Sequence, residues 1–248
     1  MRILGIDTSA GAASVALCDE KQLLGEFFIN TKLTHSETLM PMVKALLDDT
    51  RLTLGELDAL AVSSGPGSFT GLRIGIAAVK GMAFARQLPC AGVSTLEALA
   101  YNLRGFEGVV CAAMDARCDQ FYTALFVAKG GAVSRLSEDS ALTAQEVADR
   151  LHEINGPIFL VGDGASLCYN SYKKIKADEG RVFLAPEHLL FQRASSVCAL
   201  ARGILSQGGA QSADALVPTY LRLPQAERER LAREGNTGTA QSASPAAP

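Results

Sequence analysis

The chain has 248 residues, 48% of them hydrophobic, with a formal net charge of −3 at pH 7. That length allows two modest lobes or one large domain with a full core. The charge balance argues against strong nucleic-acid binding by this chain alone, because phosphate affinity needs clustered Lys and Arg, and no run of about 18 apolar residues suggests a membrane span.

Met1-Arg2-Ile3-Leu4 enters a strand at once and lacks a signal-peptide cleavage pattern, so a cytoplasmic location is expected. Ile3 to Asp7 and Ala13 to Cys18 read as strands joined by the small polar loop Thr8-Ser9-Ala10-Gly11-Ala12, with Leu23 to Ile29 as a third. Thr34-His35-Ser36-Glu37 has capping-box form, and the helix after it places Leu39, Met42, Val43, Leu46 and Leu47 on one stripe. Pro41 falls inside that helix and is expected to kink it.

Leu57 to Ser63 reads as a buried strand running into Ser64-Gly65-Pro66-Gly67-Ser68-Phe69-Thr70-Gly71-Leu72-Arg73-Ile74-Gly75, with a helix from Leu72 to Phe84. Gly65 and Gly67 permit positive φ or close backbone approach, and Ser68 or Thr70 can cap the helix. A turn of this kind can cradle an anion or be only a tight corner, and both readings stand. It is not a P-loop, since Gly71-Leu72-Arg73 replaces Gly-Lys-Ser/Thr, nor a dinucleotide fingerprint, since Thr70 takes the place of the third Gly. Its helix is apolar nearly all round, through Ile74, Ile76, Val79, Met82 and Phe84, so it is central to a core or covered by a partner.

Ala91 to Val93 is a short strand, and Ser94-Thr95-Leu96-Glu97 opens a helix to about Leu103. The second half then repeats the opening. Val109 to Met114 is a strand ending in Asp115, and Phe121 to Val127 returns. Thr143-Ala144-Gln145-Glu146 caps a helix ending near Glu153. Ile158 to Val161 leads into the turn Gly162-Asp163-Gly164-Ala165, Val182 to Leu184 is a further strand, and Ser195 to Ser206 is a helix stopped by Gly208-Gly209. Gln225 to Glu234 is highly charged, and from Gly235 the composition is that of a disordered tail.

Six cysteines are scattered without a Cys-x-x-Cys pair, which speaks against zinc and against a disulfide framework. His152 and His188 stand in polar surroundings. His35 has Leu39 four residues on, where a metal-binding helix would place a second His, so no metal site is expected.

Asp7 and Asp115 hold matching places at the ends of two strand–loop–strand units, which suggests duplication with a cleft between halves. Two aspartates facing that cleft could hold a Mg²⁺–phosphate, with Thr8 and Ser9 adding hydrogen bonds. The pattern resembles the actin/Hsp70/sugar-kinase superfamily. The fold expected is therefore α/β, two duplicated lobes, each a mixed sheet with flanking helices. The lobes would span residues 1–104 and 105–223, the last helix of the second returning to the first, with a tail at 224–248. An ATP-dependent phosphotransferase using Asp7 and Asp115 is one function of such a cleft, with Gly162, Asp163 and Gly164 as a thin adenosine site.

A more specific resemblance rests on five blocks in order: Ile3-Leu4-Gly5-Ile6-Asp7-Thr8-Ser9, Thr34-His35-Ser36-Glu37, Ser64 to Gly75, Asp115-Ala116-Arg117, and Pro218-Thr219-Tyr220-Leu221-Arg222 before Pro224-Gln225-Ala226-Glu227-Arg228. In that order they resemble the bacterial TsaB (YeaZ) family, over roughly Met1 to Arg230. The resemblance implies a non-catalytic subunit that works with the catalytic TsaD and the ATPase TsaE. Together these attach a threonylcarbamoyl group to N6 of adenosine 37 in tRNAs reading ANN codons. ATP would be used by the assembly, tRNA would be met only through it, and Asp7, Thr8, Ser9, Asp115, Gly162, Asp163 and Gly164 would be a vestigial nucleotide site. It also implies pairing with TsaD, or with a second copy, through the first two helices. His35, Leu39, Met42, Val43, Leu46, Thr70, Leu72, Arg73, Gly75, Ile76, Val79 and Lys80 are the interface residues expected on that basis.

Overall fold

The computed structural model describes residues 1–31, 33–176 and 180–222. The charged stretch and tail expected at 224–248 lie outside the described residues.

The first sheet is built on two apolar strands, β1 (Ile3–Asp7) and β2 (Ala13–Cys18), buried along their whole length. With β3 (Leu23–Ile29), β4 (Ala59–Gly65) and β5 (Cys90–Ser94) they form the order β3-β2-β1-β4-β5. The first two pairings are antiparallel and the last two parallel. Parallel strands need crossovers, and α1 (His35–Thr50) and α2 (Phe69–Phe84) cover one face of the sheet. The Glu37 carboxylate accepts from Thr34 N at 3.2 Å, satisfying one free donor at the start of α1, which runs unbroken through Pro41. α2 begins at Phe69, ahead of its apolar periodicity, because Ser68 accepts from Gly71 N.

The second sheet repeats the plan. β6 (Gly108–Asp115) and β7 (Gln120–Lys129) form an antiparallel pair, and β10 (Ile158–Val161) and β11 (Val182–Leu184) add in parallel. Two strands that the sequence reading did not identify, β8 (Ala132–Arg135) and β9 (Ser140–Thr143), both pair with β7. α4 (Ala144–His152) and α5 (Ala165–Ile175) cover one face through Val147, Leu151 and Tyr172.

The remaining two helices change sides. α3 (Thr95–Tyr101) follows the first sheet yet packs on the second, with Leu96 and Leu99 against Val110, Met114 and Phe126. α6 (Ala194–Ser206) follows the second sheet yet covers the first, with Val197, Cys198 and Ala201 against Ile3, Ala16 and Ala61. Ser196 Oγ donates to Asn102 Oδ1 at 2.7 Å where the two helices meet, and Glu26 of β3 accepts from Ser195 N and Oγ at the start of α6. Among the described residues no helix is long and apolar enough to cross a membrane.

Candidate functional site

The two strand-end aspartates occupy different surroundings. Asp7 is completely buried. Its Oδ1 accepts from Ser9 N at 2.9 Å and Ser9 Oγ at 2.6 Å, and its Oδ2 accepts from Ser63 Oγ of β4. Burial pushes the Asp7 carboxyl above its ordinary pKa, opposed by those hydrogen bonds from Ser63 and Ser9. Thr8 is buried too, donating from Oγ1 to Gly71 O at 2.8 Å. The expectation that Asp7 and Thr8 face a cleft is therefore corrected: their polar atoms are used to bind the β1–β2 loop to β4 and α2.

The glycines of the block explain why that loop fits. A Cβ on Gly67 would stand 2.5 Å from Ser9 O, and one on Gly71 would stand 2.0 Å from Thr8 O. On Gly75 it would meet Thr8 Oγ1 at 2.4 Å. Three glycines at four-residue spacing thus form one bare stripe against which the loop lies, and Ser68 N donates to Ser9 O at 2.7 Å. Of the two readings open for this turn, close approach accounts for these glycines, since the space beside them is filled by the chain itself.

Between the sheets lies a cavity of about 390 Å³, lined on one side by Ser9, Gly67 and Phe69 and on the other by Asp115, Arg117, Tyr122 and Asp163. Asp115 Oδ1 accepts from Arg117 N at 2.8 Å, the same two-residue turn that Asp7 makes with Ser9, but Asp115 reaches the cavity and is half-buried. Asp163 accepts from Gln192 Nε2 at 3.0 Å. Burial raises its carboxyl from 3.8 to about 6, with the Gln192 hydrogen bond opposing and Asp115 adding repulsion. Gly162 and Gly164 do not line the cavity. A Cβ on Gly162 would meet Ala113 O at 2.3 Å and one on Gly164 would meet Asp115 N at 2.7 Å, so both serve the packing of the β10–α5 turn on the end of β6.

The third wall was not legible from residue chemistry. Residues 218–222 run across the end of β4, where Thr219 N donates to Ser64 O at 2.7 Å, and a Cβ on Gly65 would stand 2.2 Å from Thr219 O. Tyr220 packs on Phe69 with ring centroids 5.0 Å apart and accepts from Arg73 Nε at 3.0 Å. Arg222 then crosses to the second lobe, donating to Ala116 O at 3.0 Å. The Tyr-Leu-Arg block was the only signal for this strap, and Gln192 had none.

The expected interface residues divide by their surroundings. Leu39, Met42, Val43, Leu46, Leu72, Gly75, Ile76 and Val79 are buried within their own lobe, so the stripe read as a partner face is core; this is a correction. Its cause is the sheet beneath the helices, which takes the apolar stripe first. His35 is half-buried, its Nε2 2.6 Å from Ala10 O. Thr70 and Arg73 are exposed, and half-buried Lys80 donates to Asp214 O at 3.3 Å.

The raised Asp163 carboxyl carries a stability consequence. Its charged form is disfavoured by the fold, so the penalty is absent well below pH 4, grows as pH rises toward 6 and is full above it. Asp163→Asn keeps an acceptor for Gln192 and should stabilise by about 1–2 kcal/mol at pH 7 and negligibly at about pH 3. Urea unfolding at the two pH values measures this, and an equal gain at both would assign it to something other than ionisation.

Two lobes on one repeated plan, each opening with a strand, an aspartate turn and a returning strand, and sharing a cleft, define a protein of the actin/Hsp70/sugar-kinase type. A family model described as TsaD, tRNA N6-adenosine threonylcarbamoyltransferase, matches residues 22–229. The Bacillus subtilis (strain 168) tRNA threonylcarbamoyladenosine biosynthesis protein TsaB is 34% identical over 92% of this chain and 96% of its own. Its Escherichia coli (strain K12) namesake is 32% identical over 90% and 95%. The solved structure of YeaZ from Pseudomonas aeruginosa matches with a TM-score of 0.76 at 32% identity, covering 89% of this chain and 99% of that one. The chain belongs to the TsaB (YeaZ) family.

Proposed function

We propose that this chain is a non-catalytic subunit of the assembly that transfers a threonylcarbamoyl group to N6 of adenosine 37 in tRNA. It supports the catalytic TsaD subunit by helix packing, with TsaE as the ATPase and a second copy of itself as partner when alone. The observation that carries this reading is the state of Asp7. A carboxylate that would hold a Mg²⁺–phosphate must be open to the cleft, whereas Asp7 is completely buried, does not line the cavity and accepts from Ser9 and Ser63. Asp115 and Asp163 remain at the cavity, a partial remnant of a nucleotide site.

The outward face of α1 and α2 supports a docking role with different residues from those first expected. Met40 of α1 is 47% exposed and Phe84 of α2 72% exposed, and Ala45 of α1 and Arg73, Ala77 and Gly81 of α2 are exposed as well. Small side chains on adjacent helices let a partner helix approach closely, and large apolar residues at the margin give it area to bury. On this reading exposed Thr70 and Arg73 and half-buried Lys80 contribute polar contacts to the partner.

The test is threonylcarbamoyl transfer to tRNA in a reconstituted mixture with and without the chain. Transfer should depend on the chain and survive Asp115→Asn. Ala77→Glu should leave the melting temperature within about 2 °C, since the site is exposed, and weaken association with the partner by roughly tenfold or more. Transfer that proceeds equally without the chain, or that Asp115→Asn abolishes, would overturn the accessory reading.

A further inference from the structure

Arg73 belongs to two surfaces at once. It is exposed on α2, and its guanidinium turns back over the ring of Phe69, one helical turn earlier, with Cζ 3.8 Å from the ring centroid. From there Nε donates to Tyr220 Oη at 3.0 Å, and the Tyr220 ring lies on Phe69 with centroids 5.0 Å apart. Phe69, Tyr220, Leu221 and Arg222 all line the cavity between the lobes. One accessible side chain therefore joins the outside of α2 to a wall of that cavity.

The strap that carries Tyr220 is fastened by contacts of unequal depth. Upstream, Leu216 is buried in the core of the first lobe, and Thr219 N donates to Ser64 O at 2.7 Å. Downstream, Arg222 donates to Ala116 O of the second lobe at 3.0 Å. Between these points Tyr220 is 36% exposed, and the group that holds its hydroxyl is open to solvent as well. A segment outside helix and sheet, held by exposed hydrogen bonds, is among the first to open locally. The Arg73–Tyr220 bond is the place where a molecule outside the chain can reach it.

We propose that docking on the outward side of α1 and α2 releases the strap, because a carboxylate of the docked partner captures Arg73. This rests on the docking role proposed above and adds what docking does. A carboxylate and the Tyr220 hydroxyl compete for the same N–H. The carboxylate wins, since its bond is charge-assisted and its two oxygens match the guanidinium fork. In the free chain Arg73 holds Tyr220 on Phe69, and residues 219–222 wall the cavity. In the docked chain Tyr220 loses its donor, the strap lifts from Ser64 and Ala116, and the cavity opens on that side. Breaking the Tyr220 bond then costs part of the docking free energy, so docking and strap are linked in both directions.

Hydrogen exchange of the full chain, alone and with purified TsaD, tests this together with titration of the affinity between them. In the complex the amides of α1 and α2 should slow, while those of residues 219–222 exchange several-fold faster. Arg73→Gln should free the strap in the isolated chain and weaken docking by about tenfold. Tyr220→Phe keeps the ring on Phe69 and removes only the hydroxyl. It should also free the strap, yet tighten docking by roughly threefold, because the partner no longer has a bond to break. Opposite effects of the two variants on affinity are the signature, since a merely structural pair would weaken docking in both. Tyr220→Phe docking no more tightly than the parent would overturn the proposal. So would strap exchange that stays unchanged in a folded Arg73→Gln chain, or in a complex whose α1 and α2 amides are slowed. TsaD binding that leaves those helix amides unslowed would overturn the docking reading itself, and this inference with it.

Discussion

Ile76→Glu and Met42→Glu are expected to unfold the first lobe, not merely to separate the chain from a partner. Each side chain is 5% exposed and packs in the cluster with Leu4, Val15, Leu60 and Val62 between the helices and the sheet. A carboxylate placed there loses its hydration and finds no cation in that cluster, and it also forfeits the apolar burial of the residue it replaces. The combined cost is about 4 kcal/mol or more, a large part of the roughly 5–15 kcal/mol by which domains are stable. The melting temperature should fall by about 10 °C or more, or the protein should fail to accumulate in soluble form. Ala77→Glu on the outward face of the same helix is the comparison, with little change in melting temperature expected. A folded Ile76→Glu protein of unchanged stability that has lost only its self-association would show that α2 turns this side outward.

Gly71→Val is expected to be nearly as damaging, for a steric reason. The atom that a Cβ would strike is the Thr8 carbonyl oxygen, 2.0 Å away, and a backbone atom in the loop after β1 cannot swing aside as a side-chain end can. Either the first turn of α2 lifts or the loop moves. Both lose the Thr8 Oγ1 hydrogen bond to Gly71 O and disturb the buried Asp7 turn beside it. Overpacking of this kind costs about 1–3 kcal/mol, and the lost buried hydrogen bonds add to it. Gly81→Ala in the same helix meets nothing within 4 Å and should be neutral or stabilising by about 0.5–1 kcal/mol. Chemical denaturation of the two variants separates contact from helix propensity. Equal stability for Gly71→Val and the parent would mean that the loop is not fixed against α2.

Local chemistry made much of the fold legible. Apolar β-branched runs marked β1, β2, β6 and β10, and the Thr34, Ser94 and Thr143 caps marked three helix starts because each answers a local need of the first helical turn. The Gly130-Gly131 pair, with φ of 60° and 78°, was a readable hairpin signal for β8, whereas Ser140–Thr143 is too short and polar to announce a strand. Periodicity put Leu39, Met42, Val43 and Leu46 on one face correctly. It could not say whether that face met a sheet or a partner, because the alternation is the same in both cases. Asp7 shows the same limit. Its place at a strand end was visible, but one of its partners, Ser63, comes from 56 residues away. The strap at residues 218–222 and the Gln192–Asp163 hydrogen bond arise only when distant segments meet.

The exchange of α3 and α6 bears on how the molecule is made. During synthesis the first five strands and their two outer helices leave the ribosome with the inner face of their sheet covered only in part, by Ala98 of α3, since the helix that covers Ile3, Ala16 and Ala61 begins at Ala194. For most of translation the rest of that apolar surface lacks its helix, and exposed surface of this kind invites premature association. Nascent chains of this protein thus carry an obligation to wait. Neither half completes its burial until the other has been built.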